Sequence, residues 1–178
     1  GFDAVIGNPP YIRMEAFKEV KDYLKARYAV HEERSDLYAY FIEQEHRLLK
    51  PNGRFGMIVS NKFLRSKYGK PLREFLREQA CVERIVDLAG LPVFRGATVR
   101  TIVLLSSRRQ PTKAGTWYSP PLTPGASDAV SGGTISLADA IRQSAYQVSP
   151  KAMAQAVWNF PEPQRHDLLA KLEAGCQR

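Results

Sequence analysis

With 178 residues, 44% of them hydrophobic and 25% charged, the chain has the composition of one globular domain with a real core and room for the start of another. Two cysteines (Cys81, Cys176) and three scattered histidines (His31, His46, His166) exclude a disulfide framework and a structural zinc site. No apolar run approaches a membrane span, no signal-peptide pattern is present, and the expected setting is cytoplasmic.

The net charge of +8 is uneven: residues 1–110 hold 20 basic and 13 acidic residues, and residues 111–178 hold six and five. Such an excess suits a polyanion, whose counterions are released on binding, and it equally suits a well-solvated surface.

In chain order, "FDAVI" (2–6) reads as a buried strand set directly against Gly1, which predicts a piece cut from a longer protein. Phe17, Val20, Leu24 and Tyr28 recur at helical spacing over 15–28. Residues 36–49 predict a second helix with Ser35 as its N-cap, stopped by "KPNG" (50–53), which turns into the strand "RFGMIVS". Pro71 sits where a third helix starts, ahead of Leu72, Phe75 and Leu76. The runs "VERIVDL" (82–88) and "VRTIVLL" (99–105) are strand-like, and strands spaced by helices of this length argue for an α/β sheet with mostly parallel neighbours. From Pro111 to Thr134 the texture is Pro, Gly, Ser and Thr, which predicts a linker. Beyond it, 136–145 and 162–175 read as short helices.

The chemistry is concentrated at Asn8-Pro9-Pro10-Tyr11. Residues before proline are held extended, and the two prolines remove two backbone donors. What remains is a rigid, acceptor-rich cluster beyond the carboxyl end of a strand, where active sites of open α/β sheets lie. Two fixed acceptors, the Asn8 Oδ1 and the Pro9 carbonyl, suit a ligand with two hydrogens on one nitrogen, such as the amine of adenine. Holding both hydrogens draws that nitrogen towards a tetrahedral shape and frees its lone pair to attack. Tyr11 offers a flat face for the base, a contact worth roughly 1–3 kcal/mol. An adenine inside a duplex must be flipped out to reach such a pocket. As pure structure, the tetrapeptide is a stiff turn after a strand.

"FDAVIGNPPYI", "SDLYAYFIEQEHRLLKPNGRFGMIVSNKFL", "LREFL" and "PVFRGATVRTIVLL", in that order, resemble the TaqI-like adenine-N6 DNA methyltransferases, above all those in single-chain type II restriction–modification enzymes. The resemblance covers residues 1 to about 108 and, loosely, the helix expected near 164–175. It implies the C-terminal half of a Rossmann-like methyltransferase sheet, mostly parallel with one late antiparallel strand, that uses S-adenosylmethionine on double-stranded DNA. It further implies a catalytic part at 1–110, a linker at 111–134 and the start of a target-recognition region at 135–178. Asn8, Pro9 and Tyr11 match the family's target-adenine motif, and Pro10 would hold its backbone. Phe41 falls where the family sets an aromatic against the cofactor, although a core role fits it as well. The family's glycine-rich cofactor loop lies upstream of the target motif and is missing here, so the upstream part of the polypeptide would complete the fold, and this piece alone would be inactive. The family's second stacking aromatic corresponds to Ser106 (or Leu105), so another residue such as Phe94 would have to complete the sandwich.

"NKFLRSKYGKPLR" (61–73) carries Lys62, Arg65, Lys67, Lys70 and Arg73 with no acid among them. It is read as a DNA-binding loop that contacts phosphates, or else as a solvated loop. Metal is not required for methyl transfer. "EVK" (19–21) has the spacing of a nuclease Glu-x-Lys but lacks an upstream Pro-Asp pair. The same tetrapeptide also serves enzymes that methylate RNA adenine or protein glutamine, and a scaffold without catalysis would bind DNA only.

Overall fold

The computed structural model describes residues 1–89, 91, 93, 100–112 and 115–161. Six strands form one sheet in the order β1-β2-β4-β3-β5-β6. They are β1 (Phe2–Gly7), β2 (Leu49–Ser60), β3 (Cys81–Asp87), β4 (Thr101–Ser107), β5 (Thr116–Ser119) and β6 (Tyr146–Val148). β1, β2, β3 and β5 run one way, while β4 is antiparallel between β2 and β3, and β6 is antiparallel beside β5. The expected late antiparallel strand is therefore present. It begins at Thr101, and Val99 lies outside the described residues.

The helices are α1 (Lys21–Arg27), α2 (Tyr38–Leu48), α3 (Lys70–Gln79), α4 (Pro124–Ser131), α5 (Leu137–Ser144) and α6 (Pro150–Met153). The expected helix over 15–28 is two short 3₁₀ turns followed by α1. Ser35 does not cap α2: the cap position is Leu37, and the Ser35 hydroxyl turns back to the Val30 carbonyl. "KPNG" falls inside β2 instead of forming a separate stop, and Asn52 takes φ 63°, a left-handed conformation that asparagine tolerates, where the β1–β2 register shifts. Ser136 does cap α5, accepting from the Asp139 amide.

One face of the sheet is covered. Phe55, Met57 and Val59 of β2, Ile102 and Leu104 of β4 and Ile85 of β3 alternate onto it and pack with Ile42 of α2 and Leu72 and Leu76 of α3. The opposite face carries Ile6, 87% exposed, with Leu105 and Trp117. The strand expected to be buried is thus mostly exposed. β1 lies at the sheet edge, and only Val5 of its apolar residues packs against the core.

Residues 111–134 are not a bare linker, since β5 extends the sheet beside β3 with Tyr118 and Ser119 buried. Their composition hid the four-residue strand β5 and the helix α4. The chain then returns through β6 and α6 to bury Trp158, whose backbone amide donates to the Leu64 carbonyl and whose indole donates to the Met153 carbonyl, each at 2.8 Å. The helix expected over 162–175 lies outside the described residues.

Buried polar groups fix the layers. The Glu43 carboxylate accepts from the amides of Ala29 and Val30 and is paired with Arg47, tying α2 to the loop after α1. His46, 3% exposed and 4.4 Å from the Phe55 ring, bonds the Ile42 carbonyl through Nδ1 at 2.9 Å. A carbonyl only accepts, so Nδ1 carries the proton, and Nε2 accepts from the Ser106 hydroxyl, also at 2.9 Å. Burial lowers the His46 pKa, with Arg108 adding to the effect and the Ile42 bond opposing it. The unfolded chain therefore takes up a proton first, and stability falls as pH drops through about 6.5, the free histidine value. Urea midpoints measured from about pH 7.5 down to about pH 5.5 should fall for the native chain and fall less for His46→Gln; equal slopes would discount His46.

Candidate active site

β1 stops pairing at Gly7, opposite Met57, while β2 runs on to Ser60. Asn8-Pro9-Pro10-Tyr11 turns away at that step. The first β2 carbonyl beyond the pairing, that of Ile58, accepts from the Tyr11 hydroxyl at 3.0 Å. One residue on, the Ile12 carbonyl accepts from the Leu37 amide at the start of α2, at 2.8 Å. The tetrapeptide is therefore anchored by the β1 ladder on one side and by these two bonds on the other.

Within this frame Pro9 is buried, whereas Asn8 and Pro10 are exposed. No hydrogen bond to the Asn8 side chain is present among the described residues, which leaves its amide oxygen available as an acceptor. The half-buried Tyr11 ring lies 6.4 Å from that of Tyr38, itself 6.3 Å from Phe63. Burial pushes the Tyr11 phenol up to about 12, so it stays neutral and donates. Asp36 stands nearby ahead of α2. Burial raises its pKa, and Lys62 and Arg13 pull it back.

Phe41 is 38% exposed on α2, which places it at the surface and not in the core. One turn further on the same face, Glu45 has a buried Oε2 without a partner among the described residues, and burial raises its pKa. A Cβ at Gly7 would lie 3.5 Å from Glu45 Oε1, which places the Glu45 carboxyl beside the end of β1. Sequence periodicity gave no hint of Glu45, which reads there as one more polar helix position.

The basic stretch divides. Lys62, Arg65 and Lys67 are exposed, and Lys70 is exposed but 3.8 Å from Glu74. Arg73 does not belong with them. It is 4% exposed, and its guanidinium holds the carbonyls of Ala156 (2.8 Å), Ser66 (3.0 Å) and Phe63. Its position on α3 turns it inward, where it joins the basic loop to the returning chain. Ser106 is also displaced from its expected role. Because β4 runs antiparallel, Ser106 pairs with Phe55, towards the opposite end of the sheet from Asn8, and it is buried against His46. Leu105, paired with Gly56, lies on the open face, also short of the carboxyl end. Phe94 lies outside the described residues. No cluster of metal-binding side chains occurs among the described residues, and Glu19 and Lys21 of "EVK" are split between a 3₁₀ turn and α1, with Lys21 paired to Glu33.

With this geometry in view, the model of the Eco57I restriction-modification methylase matches residues 1–94. The chain belongs to that family. Among its relatives it is 44% identical over 89 residues to the type II methyltransferase M.BstVI of Geobacillus stearothermophilus, covering 49% of this chain and 16% of that one. It is 31% identical over 111 residues to the type II restriction enzyme and methyltransferase RM.Eco57I of Escherichia coli, covering 60% of this chain and 11% of that one. The chain thus spans about a sixth or less of the length of these relatives. Among solved structures, the fold matches the type IIG restriction endonuclease BpuSI with a TM-score of 0.61 at 18% identity, over 88% of this chain and 20% of that one. A Listeria monocytogenes protein described as a class I S-adenosylmethionine-dependent methyltransferase matches with a TM-score of 0.57 at 20% identity, over 78% of this chain and 42% of that one. The family match ends just short of β4, and the tetrapeptide, α2 and the basic loop all fall inside it.

Arg73→Gln should lower unfolding stability by about 2–3 kcal/mol, the scale for losing charge-assisted bonds to buried carbonyls. Urea denaturation reads this loss, and an unchanged midpoint would make Arg73 a dispensable surface cation.

Proposed function

We propose that this chain carries the target-base half of a DNA adenine-N6 methyltransferase of a restriction–modification system. The observation that carries the reading is the anchored, exposed acceptor of Asn8 beside the Tyr11 ring at the carboxyl end of β1. A flipped adenine would lie on Tyr11, its two amino hydrogens held by the Asn8 Oδ1 and the Pro9 carbonyl. The nitrogen lone pair, drawn out of the ring, would be free to take a methyl group; the new N–C bond would form as the donor's S–C bond breaks to leave a neutral thioether, and the methylated nitrogen would shed one proton to water. Pro10 keeps the Pro9 carbonyl from swinging away.

S-adenosylmethionine, when bound, supplies an electrophilic methyl group on a sulfonium. The residues present fit one edge of it: Phe41 offers an exposed aromatic face, and one helical turn on, beside Gly7, Glu45 has an oxygen without a partner among the described residues. The chain has no glycine-rich loop to hold the rest. The edge position of β1 and the exposed Ile6 and Leu105 on the open sheet face fit coverage by a further segment of the polypeptide, since exposed apolar surface gathered on one face can mark an interface. The chain alone is expected to be inactive and to bind S-adenosylmethionine weakly. Micromolar binding in calorimetry would refute that.

In the full-length protein, Asn8→Ala should lower methyl transfer to duplex DNA by roughly 100-fold or more, the scale for removing one electrostatic partner of a transition state. Labelled methyl transfer measures it, with tRNA and release factor as alternative acceptors; undiminished transfer in the variant would favour a scaffold without catalysis. Tyr11→Phe should keep activity and lose about 1 kcal/mol of stability with the Ile58 bond, whereas Tyr11→Ala should lose activity as well. Equal activity in both variants would remove the stacking role.

A further inference from the structure

At the same end of the sheet, Asn61, Lys62, Leu64, Arg65, Asp87 and Arg100 line a cleft of about 120 Å³. Arg100 stands far in sequence from the basic loop. It joins the cleft because β4 enters the sheet beside the end of β2, where the Asn61 amide donates to the Arg100 carbonyl at 3.0 Å. The neighbouring backbone is equally fixed. The Lys62 amide donates to the Ser60 hydroxyl at 3.3 Å, the Arg65 amide to the Lys62 carbonyl at 3.2 Å, and the Leu88 amide to the Thr101 carbonyl at 2.9 Å.

Three exposed cations thus share one small concavity, and among the described residues none of them has an ion-pair partner. Lys62 acts on Asp36 only as a longer-range charge. The acid in the cleft, Asp87, is 7% exposed and already satisfied, accepting from the Ala89 amide at 2.9 Å and the Tyr118 hydroxyl at 3.4 Å. The cleft keeps a surplus of two positive charges on a fixed backbone frame, and among the described residues Arg65 otherwise acts only as a longer-range charge on Tyr118. Cations of this kind are the ordinary means by which proteins hold the nucleic-acid backbone.

We propose that this cleft receives a single backbone phosphate of DNA, gripped by Arg65 and Arg100 with Lys62 beside them. β4 lies two places from β1 in the sheet, about 10 Å at the usual strand spacing. A phosphate held there pins the strand close to the nucleotide that would enter the Asn8 pocket. Lys67 and Lys70 lie outside the cleft, so the basic stretch supplies one defined contact and a more diffuse field. The inference rests on DNA being the substrate, and it adds Arg100, which no pattern in the basic loop indicates.

The test compares the chain with Arg65→Gln, Arg100→Gln, the double variant, and Lys50→Gln as a control. Lys50 sits at the start of β2, away from the carboxyl end, paired with Asp3. Anisotropy of a short labelled DNA duplex is read against salt concentration, without methyl donor. One shared phosphate predicts that the slope of log K against log salt shrinks by about 0.9 in the double variant, and not by about 1.8. Each single variant should give part or all of that change, and Lys50→Gln none. No change in the double variant, a change near twice the expected size, an equal change at Lys50, or no duplex binding at low salt would overturn the proposal. Tighter binding of an RNA duplex with the same slope change would overturn the assignment to DNA. Because binding is measured without transfer, a failed Asn8→Ala test leaves this result standing, and the reverse also holds.

Discussion

The carboxyl end of the sheet is organised by one mismatch of length: β2 outruns β1. Pairing stops at Gly7 and Met57, and the next free carbonyl on β2, that of Ile58, needs a donor. The Tyr11 hydroxyl supplies it. That bond fixes the ring, and with the Ile12–Leu37 bond it brackets two prolines that cannot themselves donate. The exposed Asn8 amide is consequently held by its neighbours and not by bonds of its own.

The core beneath is built on one face only. α2 and α3 cover Phe55, Met57, Val59, Ile102 and Leu104, while Ile6 and Leu105 remain on the open side. A sheet dominated by same-direction strands ordinarily has both faces covered. The chain spans about a sixth or less of the length of its relatives. Buried polar groups meanwhile hold the covered layer. Glu43, His46 and Arg73 each tie a helix to a segment distant in sequence, and each is satisfied by backbone or hydroxyl partners.

Charge at the site end is sorted by burial. The basic stretch reads in sequence as five equivalent cations, yet α3 turns Arg73 under the loop while Lys62, Arg65 and Lys67 stay in solvent. Arg100 takes the place beside them because β4 starts where β2 ends. The antiparallel direction of that strand also carries Ser106 away from the pocket and into a bond with His46.

The sequence by itself determined the alternation of strands and helices and, through its likeness to a known family, the antiparallel late strand, and it singled out the tetrapeptide as the candidate centre of chemistry. These are local signals: hydrophobic period, proline stiffness and motif order. Only the tertiary structure decided which charged residues face solvent, that β1 is an exposed edge, that "TWYS" is a strand within a proline-rich stretch, that Glu45 comes near Gly7, and that Arg100 joins Lys62 and Arg65 in one cleft. Those outcomes depend on strand order and on which helix face meets the sheet. Both are set by contacts between residues dozens of positions apart, and no local pattern encodes them.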